Sequence, residues 1–381
     1  MTQQSDLELR ADREAASGNL QSARQSLEQA LAAGHASLEL WTKLGAICRG
    51  LGDFPAALSA LESGLALSPL DFSALLARAM LLERMGDARA PEAFANAVAQ
   101  LPPGREIPKP LAATVDHARQ RALAHQQALE QRLLQSLPPD LPAQEEARLK
   151  RLASNTSRRT RHFHQEPTNF HYPGLPEIEF HDPSQFGLAE IEAATDAIRA
   201  EYEALARLKT AELVPYAQYP DHVPLAQWKE LNNSRDWTAI HLIQNGVPVD
   251  ANASHCPITL GLVSKLAQPA IPGAGPNAMF SLLAPRTHIP PHTGVANVRL
   301  VCHLPLIVPE KCGFRVGATT REWKVGEAFV FDDTIEHEAW NDSDELRVVL
   351  IFDLWTPVLS ATERDAVSRM IAATGVAFKG N

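Results

Sequence analysis

Apolar positions divide this chain into two stretches with different periods. Over the first hundred residues, small and aliphatic side chains recur every three or four positions, the period of a helix with one buried face. The phrases "SGNLQSARQSLEQALAAG", "LGDFPAALSALESGLALSP" and "MGDARAPEAFANAVAQLPP" align when Gly18, Gly52 and Gly86 are superposed, 34 residues apart each time. Ala23 then falls with Ala57, Leu27 with Leu61 and Leu31 with Leu65, while Pro69 and Pro102 close two of the units. "WTKLGAIC" (Trp41, Leu44, Gly45, Cys48) and "LLARAMLL" (Leu75, Ala79, Leu82) supply a preceding helix in each unit. A 34-residue period predicts helix-turn-helix repeats, two and a half to three of them over about residues 5–104.

Residues 110–136 lack glycine and keep the helical rhythm until "LPPDLP" stops them, which predicts a connecting helix. The run "RLKRLASNTSRRTRHFH" is locally basic; without interleaved aromatic residues it reads as a solvated linker face before it reads as a phosphate-binding patch. Beyond it the period changes. Leu188, Ile191, Ile198, Tyr202 and Leu205 predict one amphipathic helix between about 186 and 207. Short β-rich runs follow, punctuated by Gly and Pro: "AMFSLLAP", "VRLVCHLPLIV", "GFRVG", "REWKVG", "EAFVFDD" and "RVVLIFDLW". They predict a sandwich or jelly roll with a helix packed outside.

Composition narrows the classes. The 381 residues are 45% hydrophobic and 21% charged, enough for two or three domains with cores of their own. With 35 Lys and Arg against 45 Asp and Glu the net charge is −10, which gives no electrostatic footprint for nucleic acid. Neither a signal peptide nor about 18 consecutive apolar residues occurs, so a cytoplasmic location without a membrane span is expected. Cys48, Cys256, Cys302 and Cys312 lack CxxC spacing and are expected as reduced thiols.

The 34-residue unit resembles the tetratricopeptide repeat. That resemblance implies stacked helix pairs whose concave face takes a peptide, protein or carrier-protein partner. A plain helical bundle without a partner is the other reading.

Candidate chemistry lies in the β-rich stretch. His292 in "PPHTG" precedes one strand, and His337 in "DDTIEHEAW" follows another, 45 residues later. Strand ends converge at one mouth of a jelly roll, and two neutral imidazoles there suit a divalent transition metal such as ferrous iron. Spacing alone leaves open that each is merely hydrogen bonded. Arg347, ten residues after His337, opens an apolar strand. Pointing inward it requires an anion, for which a small ligand's carboxylate is suited; at the sheet edge it requires only solvent.

The words "SLLAPRTHIPPHTGVANVRLVCHLPLIVPEKCGFRVG", "GEAFVFDDTIEHEAWNDSDELRVVLIFDLW" and "HYPGLP" resemble the aspartyl/asparaginyl β-hydroxylase family over about residues 168–365. The resemblance implies a double-stranded β-helix and an Fe(II)- and 2-oxoglutarate-dependent oxygenase consuming O2. It makes His292 and His337 the iron ligands, Arg347 the clamp on the distal carboxylate of 2-oxoglutarate, and Ser281 and His303 further cosubstrate contacts; His288 is left a structural role. Gly294 stands where the common H-x-D pattern places a carboxylate, a departure shared by the family. Asp333 is then expected to act from outside the ligand set, with Asp332 as the alternative or as a turn residue.

The chain is thus expected to be a multidomain α and β protein. Residues 1–104 form an α-helical tetratricopeptide-repeat solenoid, 105–165 a helical linker, and 166–381 the oxygenase domain, a double-stranded β-helix (jelly roll, cupin-like) with flanking helices. The expected reaction hydroxylates an unactivated C–H, first of all the β-carbon of an Asp- or Asn-type residue in a peptide or protein. A free or carrier-bound amino acid, another small molecule, or a non-catalytic repeat protein are the alternatives. The family's peptide hydroxylases resemble R-x-R-x-H where this chain has Arg299, Val301 and His303, so Arg299 is either a contact for a substrate carboxylate or a structural strand residue. Asn232, Ser234, Trp237 and residues 255–259 are expected near the pocket, or as rigid connectors.

Overall fold

The computed structural model describes residues 3–378 apart from residues 35, 102–106, 209–212 and 219–228. The chain divides into two compact units, one ending at Arg161 and the other beginning at His162.

The first unit is helical. It comprises α1 (Gln3–Ala16), α2 (Leu20–Ala32), α3 (Leu38–Gly50), α4 (Phe54–Leu67), α5 (Phe72–Arg84), α6 (Ala90–Val98), α7 (Lys109–Gln135) and α8 (Ala143–Thr156). The aligned glycines are the turns inside the three helix pairs: Gly18, Gly52 and Gly86 have φ of +80°, +79° and +70°, which a side chain would strain. Asn19 and Asp53 follow two of them and accept the N–H of Ser22 and Ala56, caps worth about 1 kcal/mol each. The aligned Ala23, Leu27, Ala57 and Leu61 are buried between the helices. These stacked pairs are tetratricopeptide-like repeats. The helix expected as a linker packs onto the last pair instead, where Val115 and Ala118 of α7 join Leu76, Phe94 and Ala97 in one cluster. Capping of this kind covers the apolar face that a terminal repeat would otherwise expose. Pro102 and the boundary expected at 104 lie outside the described residues.

The second unit contains β1 (Phe180–His181), α9 (Ala189–Ala193), α10 (Thr195–Ala206), β2 (Leu213–Pro215), β3 (Trp237–Gln244), β4 (Val247–Pro248), α11 (Asp250–Ala253) and α12 (Pro257–Val263). After them come β5 (Ala278–Leu283), β6 (Thr287–His292), β7 (Arg299–Ile307), β8 (Cys312–Val316), β9 (Thr319–Arg321), β10 (Phe329–Phe331), β11 (His337–Asn341), β12 (Arg347–Trp355) and α13 (Ala361–Thr374). One sheet runs β1-β10-β7-β12-β5-β3-β2 with β4 on β3, and the other runs β6-β11-β8-β9, every pairing antiparallel. This is the double-stranded β-helix arrangement.

Strand parity sorts the side chains. On β12, Val348, Leu350, Phe352 and Leu354 join the outer core with Ile198, Tyr202 and Leu205 of α10, while Val349 and Ile351 join the core between the sheets. Because successive residues point to opposite faces, Arg347 and Asp353 face inward with Val349 and Ile351. The same parity on β7 sends Leu300, Cys302 and Leu304 outward and Val301 inward.

Three local expectations change. The helix expected over 186–207 is broken at Ala194 (φ −91°, ψ 6°), where the Thr195 hydroxyl donates back to the Glu192 carbonyl. "REWKVG" contributes only Arg321 to a strand, and Trp323 turns its ring into the inter-sheet core. β6 carries Pro290 and Pro291, tolerated because it is the edge of its sheet. Among the described residues no helix is long and apolar enough to cross a membrane.

Candidate active site

A pocket opens between the two sheets, lined by His292, His337, His303, Ser281, Arg347, Arg299 and Asp333 among others. Register brings them together from distant sequence. β6 ends on His292 and β11 begins on His337, and the two pair directly across the strands. Their rings lie 4.0 Å apart between centroids.

Each ring turns Nδ1 toward a backbone carbonyl, His292 toward Pro290 at 2.8 Å and His337 toward Ile335 at 3.2 Å. A carbonyl only accepts, so Nδ1 carries the hydrogen and Nε2 the lone pair, the tautomer a metal requires. Burial pushes the His292 pKa down to about 4. Burial, and next the neighbouring His292, push His337 well below the usual histidine range. Both rings are therefore neutral at pH 7.

Among the described residues no group of three or more His, Cys, Asp or Glu side chains is arranged to hold a metal. Two residues after His292, the third position of an H-x-D pattern is Gly294. A Cβ on Gly294 would stand 2.1 Å from Asp333 Oδ2, so the Asp333 carboxylate occupies the space of the missing side chain. Asp332 points elsewhere: it accepts from the Thr334 N–H and hydroxyl and from Gln165 Nε2, as a turn residue.

Arg347 is the largest fully buried side chain, 2% exposed. Its Nη1 has no hydrogen-bond partner, and among the described residues no carboxylate forms a salt bridge with it. The guanidinium lies 4.7 Å over the Trp323 ring, and burial lowers its pKa to about 10. A buried cation without an anion is costly, and this one faces a pocket that an anion can enter. His303 stands beside it among Phe314, Phe331 and Trp323; burial, then Arg347, hold it neutral, and its Nδ1 is unpartnered. Ser281 Oγ accepts from Trp237 Nε1 at 3.2 Å.

Arg299 is arranged differently. Nη1 donates to Asp353 Oδ1 at 2.8 Å and Nη2 to Asp333 Oδ2 at 2.6 Å. Burial alone would lower its pKa, but the two carboxylates outweigh that and raise it. Burial raises Asp333 to about 7 against the pull of Arg299. Asp353 is fixed in turn by the N–H and Nδ2 of Asn277, at 2.7 and 3.0 Å. Each terminal nitrogen of Arg299 thus donates to a buried carboxylate, the arrangement of a structural strand residue, and Nε has no partner.

Of the upstream residues expected near the pocket, Trp237 lines it; Asn232, Ser234 and residues 255–259 do not. Ser234 Oγ bonds Asp236, and Thr259 bonds Glu201. His288 is exposed, 3.5 Å from Glu338. Sequence reasoning passed over Asp353, Trp323, Asn277, Tyr216 and Phe378, all of which line the pocket. For Asp353 a signal existed: an acid inside "LIFDLW" needs a buried partner as much as Arg347 does.

Comparison with known proteins bears on the same stretch. Residues 192–357 match the family model described as aspartyl/asparaginyl beta-hydroxylase. An ornithine lipid ester-linked acyl 2-hydroxylase of Rhizobium tropici is 38% identical over 199 residues, 51% of this chain and 66% of that one. The mouse aspartyl/asparaginyl beta-hydroxylase is 35% identical over 141 residues, 37% of this chain and 19% of its own length. Human aspartate beta-hydroxylase domain-containing protein 2 is 30% identical over 213 residues, 55% of each chain. The chain therefore spans from about a fifth to just under two thirds of these relatives. Over residues 192–357 the chain is thus similar to the aspartyl/asparaginyl β-hydroxylase family.

Proposed function

We propose that the second unit is an Fe(II)- and 2-oxoglutarate-dependent dioxygenase that hydroxylates an aliphatic C–H. One observation carries this reading: the buried, unpaired Arg347 guanidinium shares a pocket with two neutral imidazoles 4.0 Å apart. Such a pocket suits a divalent cation at one end and a dicarboxylate at the other.

His292 and His337 would hold the iron through Nε2, with the Pro290 and Ile335 carbonyls fixing each ring's orientation. When bound, iron and 2-oxoglutarate supply the oxidation: one atom of O2 enters the substrate as hydroxyl, and the other enters succinate as 2-oxoglutarate loses CO2. Asp333 keeps its carboxyl group, with a pKa raised to about 7, in the volume a residue 294 side chain would fill. Arg347 binds and orients the distal carboxylate. Ser281 and His303 complete that contact, His303 as a neutral partner that does not repel Arg347. Trp323 covers the guanidinium and excludes water.

The relatives' names point to aspartyl and asparaginyl residues in one case and to an ester-linked acyl chain in another. The repeats of the first unit would hold a peptide, protein or carrier-protein partner. Cys48, Cys256, Cys302 and Cys312 are all free, which supports a cytoplasmic setting.

Anaerobic equilibrium dialysis against Fe(II) tests the metal assignment. Wild-type protein should retain about one equivalent, whereas H292A and H337A should each lose it, as removal of a ligand requires. Equal retention by both variants would overturn the assignment.

A further inference from the structure

Resting on the hydroxylase reading, we infer that the substrate group entering this pocket is an uncharged aliphatic chain, and that a carboxylate side chain is excluded by the Asp333–Arg299–Asp353 cluster.

Charge makes the first part of the case. Among the described residues lining the pocket, the arginines are Arg299 and Arg347. Arg347 is committed to the cosubstrate. Arg299 stands between two carboxylates whose side chains are 9% and 3% exposed. Whether or not Asp333 holds a proton, this cluster carries no surplus positive charge. Bound Fe(II) and 2-oxoglutarate offset one another in charge, so an additional carboxylate at this cluster would find no unmatched guanidinium there and would lie beside one or two groups of its own sign, which is unfavourable.

Rigidity removes the obvious escape. Arg299 cannot simply turn toward a ligand, because doing so strands both aspartates in a buried site. Asp353 is itself held by the Asn277 N–H and Nδ2, and the Phe378 ring lies 5.6 Å from the Arg299 guanidinium carbon. The N–H groups left over on Arg299, Nε among them, can donate hydrogen bonds, but the charge behind them is already matched by two carboxylates.

Shape makes the second part. Inward along β7 the row is Arg299, Val301, His303, and Val301 is 6% exposed and sits opposite Asp353 in register. Met279, Ile289 and Ile351 continue the apolar wall. Tyr216 and Trp237, stacked 3.9 Å apart and 10° from parallel, form a flat aromatic side. Such walls gain from burying methylene groups, about 0.8 kcal/mol for each. Asp353 and Val301 are accordingly the residues that set specificity.

The test uses full-length protein with three probes: an Asp-containing peptide, the same peptide with Leu in place of Asp, and N-dodecanoylglycinamide below its micelle concentration. Binding is read by calorimetry with Mn(II) and 2-oxoglutarate present, and succinate is measured separately with Fe(II) and O2. At least one uncharged probe should bind roughly thirtyfold or more tightly than the Asp peptide, the least that burying an unpaired carboxylate implies. The Leu peptide and the dodecanoyl probe distinguish a side chain from an acyl chain as the source. Equal or tighter binding of the Asp peptide, or binding of none of the three, overturns the inference. Asp353→Asn removes one of the two carboxylates and should narrow the gap at least tenfold; an unchanged gap overturns the role given to Asp353. Succinate formation without uncharged-probe binding would sink this inference and leave the hydroxylase reading standing, and the converse result would do the opposite.

Discussion

The Asp333 carboxylate fills the space that a side chain on Gly294 would need, with Oδ2 2.1 Å from the position of a Cβ there. It is pinned by Arg299 at 2.6 Å, and its own carbonyl accepts the Gly294 N–H, also at 2.6 Å. Position 294 is thus restricted by a neighbour rather than by its backbone angle.

Gly294→Asp should therefore not rebuild a three-ligand site. It should displace Asp333 and break a buried ion pair, at about 3 kcal/mol or more. Thermal unfolding followed by near-UV circular dichroism should show the β unit's Tm falling by roughly 6 °C or more. An unchanged Tm would mean that the carboxylate moves away freely.

Arg347→Met should separate stability from binding. Replacing a buried, unpaired guanidinium with an apolar chain of similar reach is expected to stabilise the free protein, by about 1 kcal/mol or more. The same change should weaken 2-oxoglutarate binding on the order of 100-fold, through loss of a charge-assisted contact. Calorimetric titration beside a melting curve reads both; a lowered Tm with unaltered binding contradicts the role of Arg347.

How far the site could be read from sequence follows from how local each signal is. The glycine turns at 18, 52 and 86 and the apolar run of β12 are local patterns, and they are found where expected. β6 was hidden by its two prolines, and β3 was missed because "WTAIHLIQ" mixes polar residues into a strand flanked by β5 and β2. The Arg299–Asp353 pair spans 54 residues of sequence and depends on the register of β7 against β12, which composition does not encode. The break at Ala194 had no periodic signal either, since Ile191 and Ile198 stay buried on both sides of it.

Stability should depend on pH through His181, buried and with Nε2 unpartnered; burial lowers its pKa from 6.5 to about 4. Between those values the unfolded chain binds a proton and the folded one does not. Its contribution is complete above about 6.5 and falls as pH drops toward 4, by about 1.4 kcal/mol per pH unit. Urea midpoints across this window should fall less steeply in His181→Gln than in wild type. Parallel slopes would show that the ring titrates normally in the fold.

The packing of α7 predicts how the repeats behave in isolation. A fragment of residues 1–161 keeps Val115 and Ala118 on the Phe94 cluster, whereas one of residues 1–104 exposes that face. The longer fragment should melt cooperatively and at least several degrees higher, as loss of two or three buried side chains implies. Equal melting temperatures would make α7 a tether rather than part of the core.

The central claim, that His292, His337 and Arg347 form an iron and 2-oxoglutarate site, meets its most direct test in anaerobic reconstitution of the full chain. Fe(II) and 2-oxoglutarate are added, the visible spectrum is recorded, then O2 is admitted and succinate measured. A weak metal-to-ligand charge-transfer band followed by succinate is the predicted result, with both absent in H292A. Folded wild-type protein that gives neither band nor succinate would contradict the account.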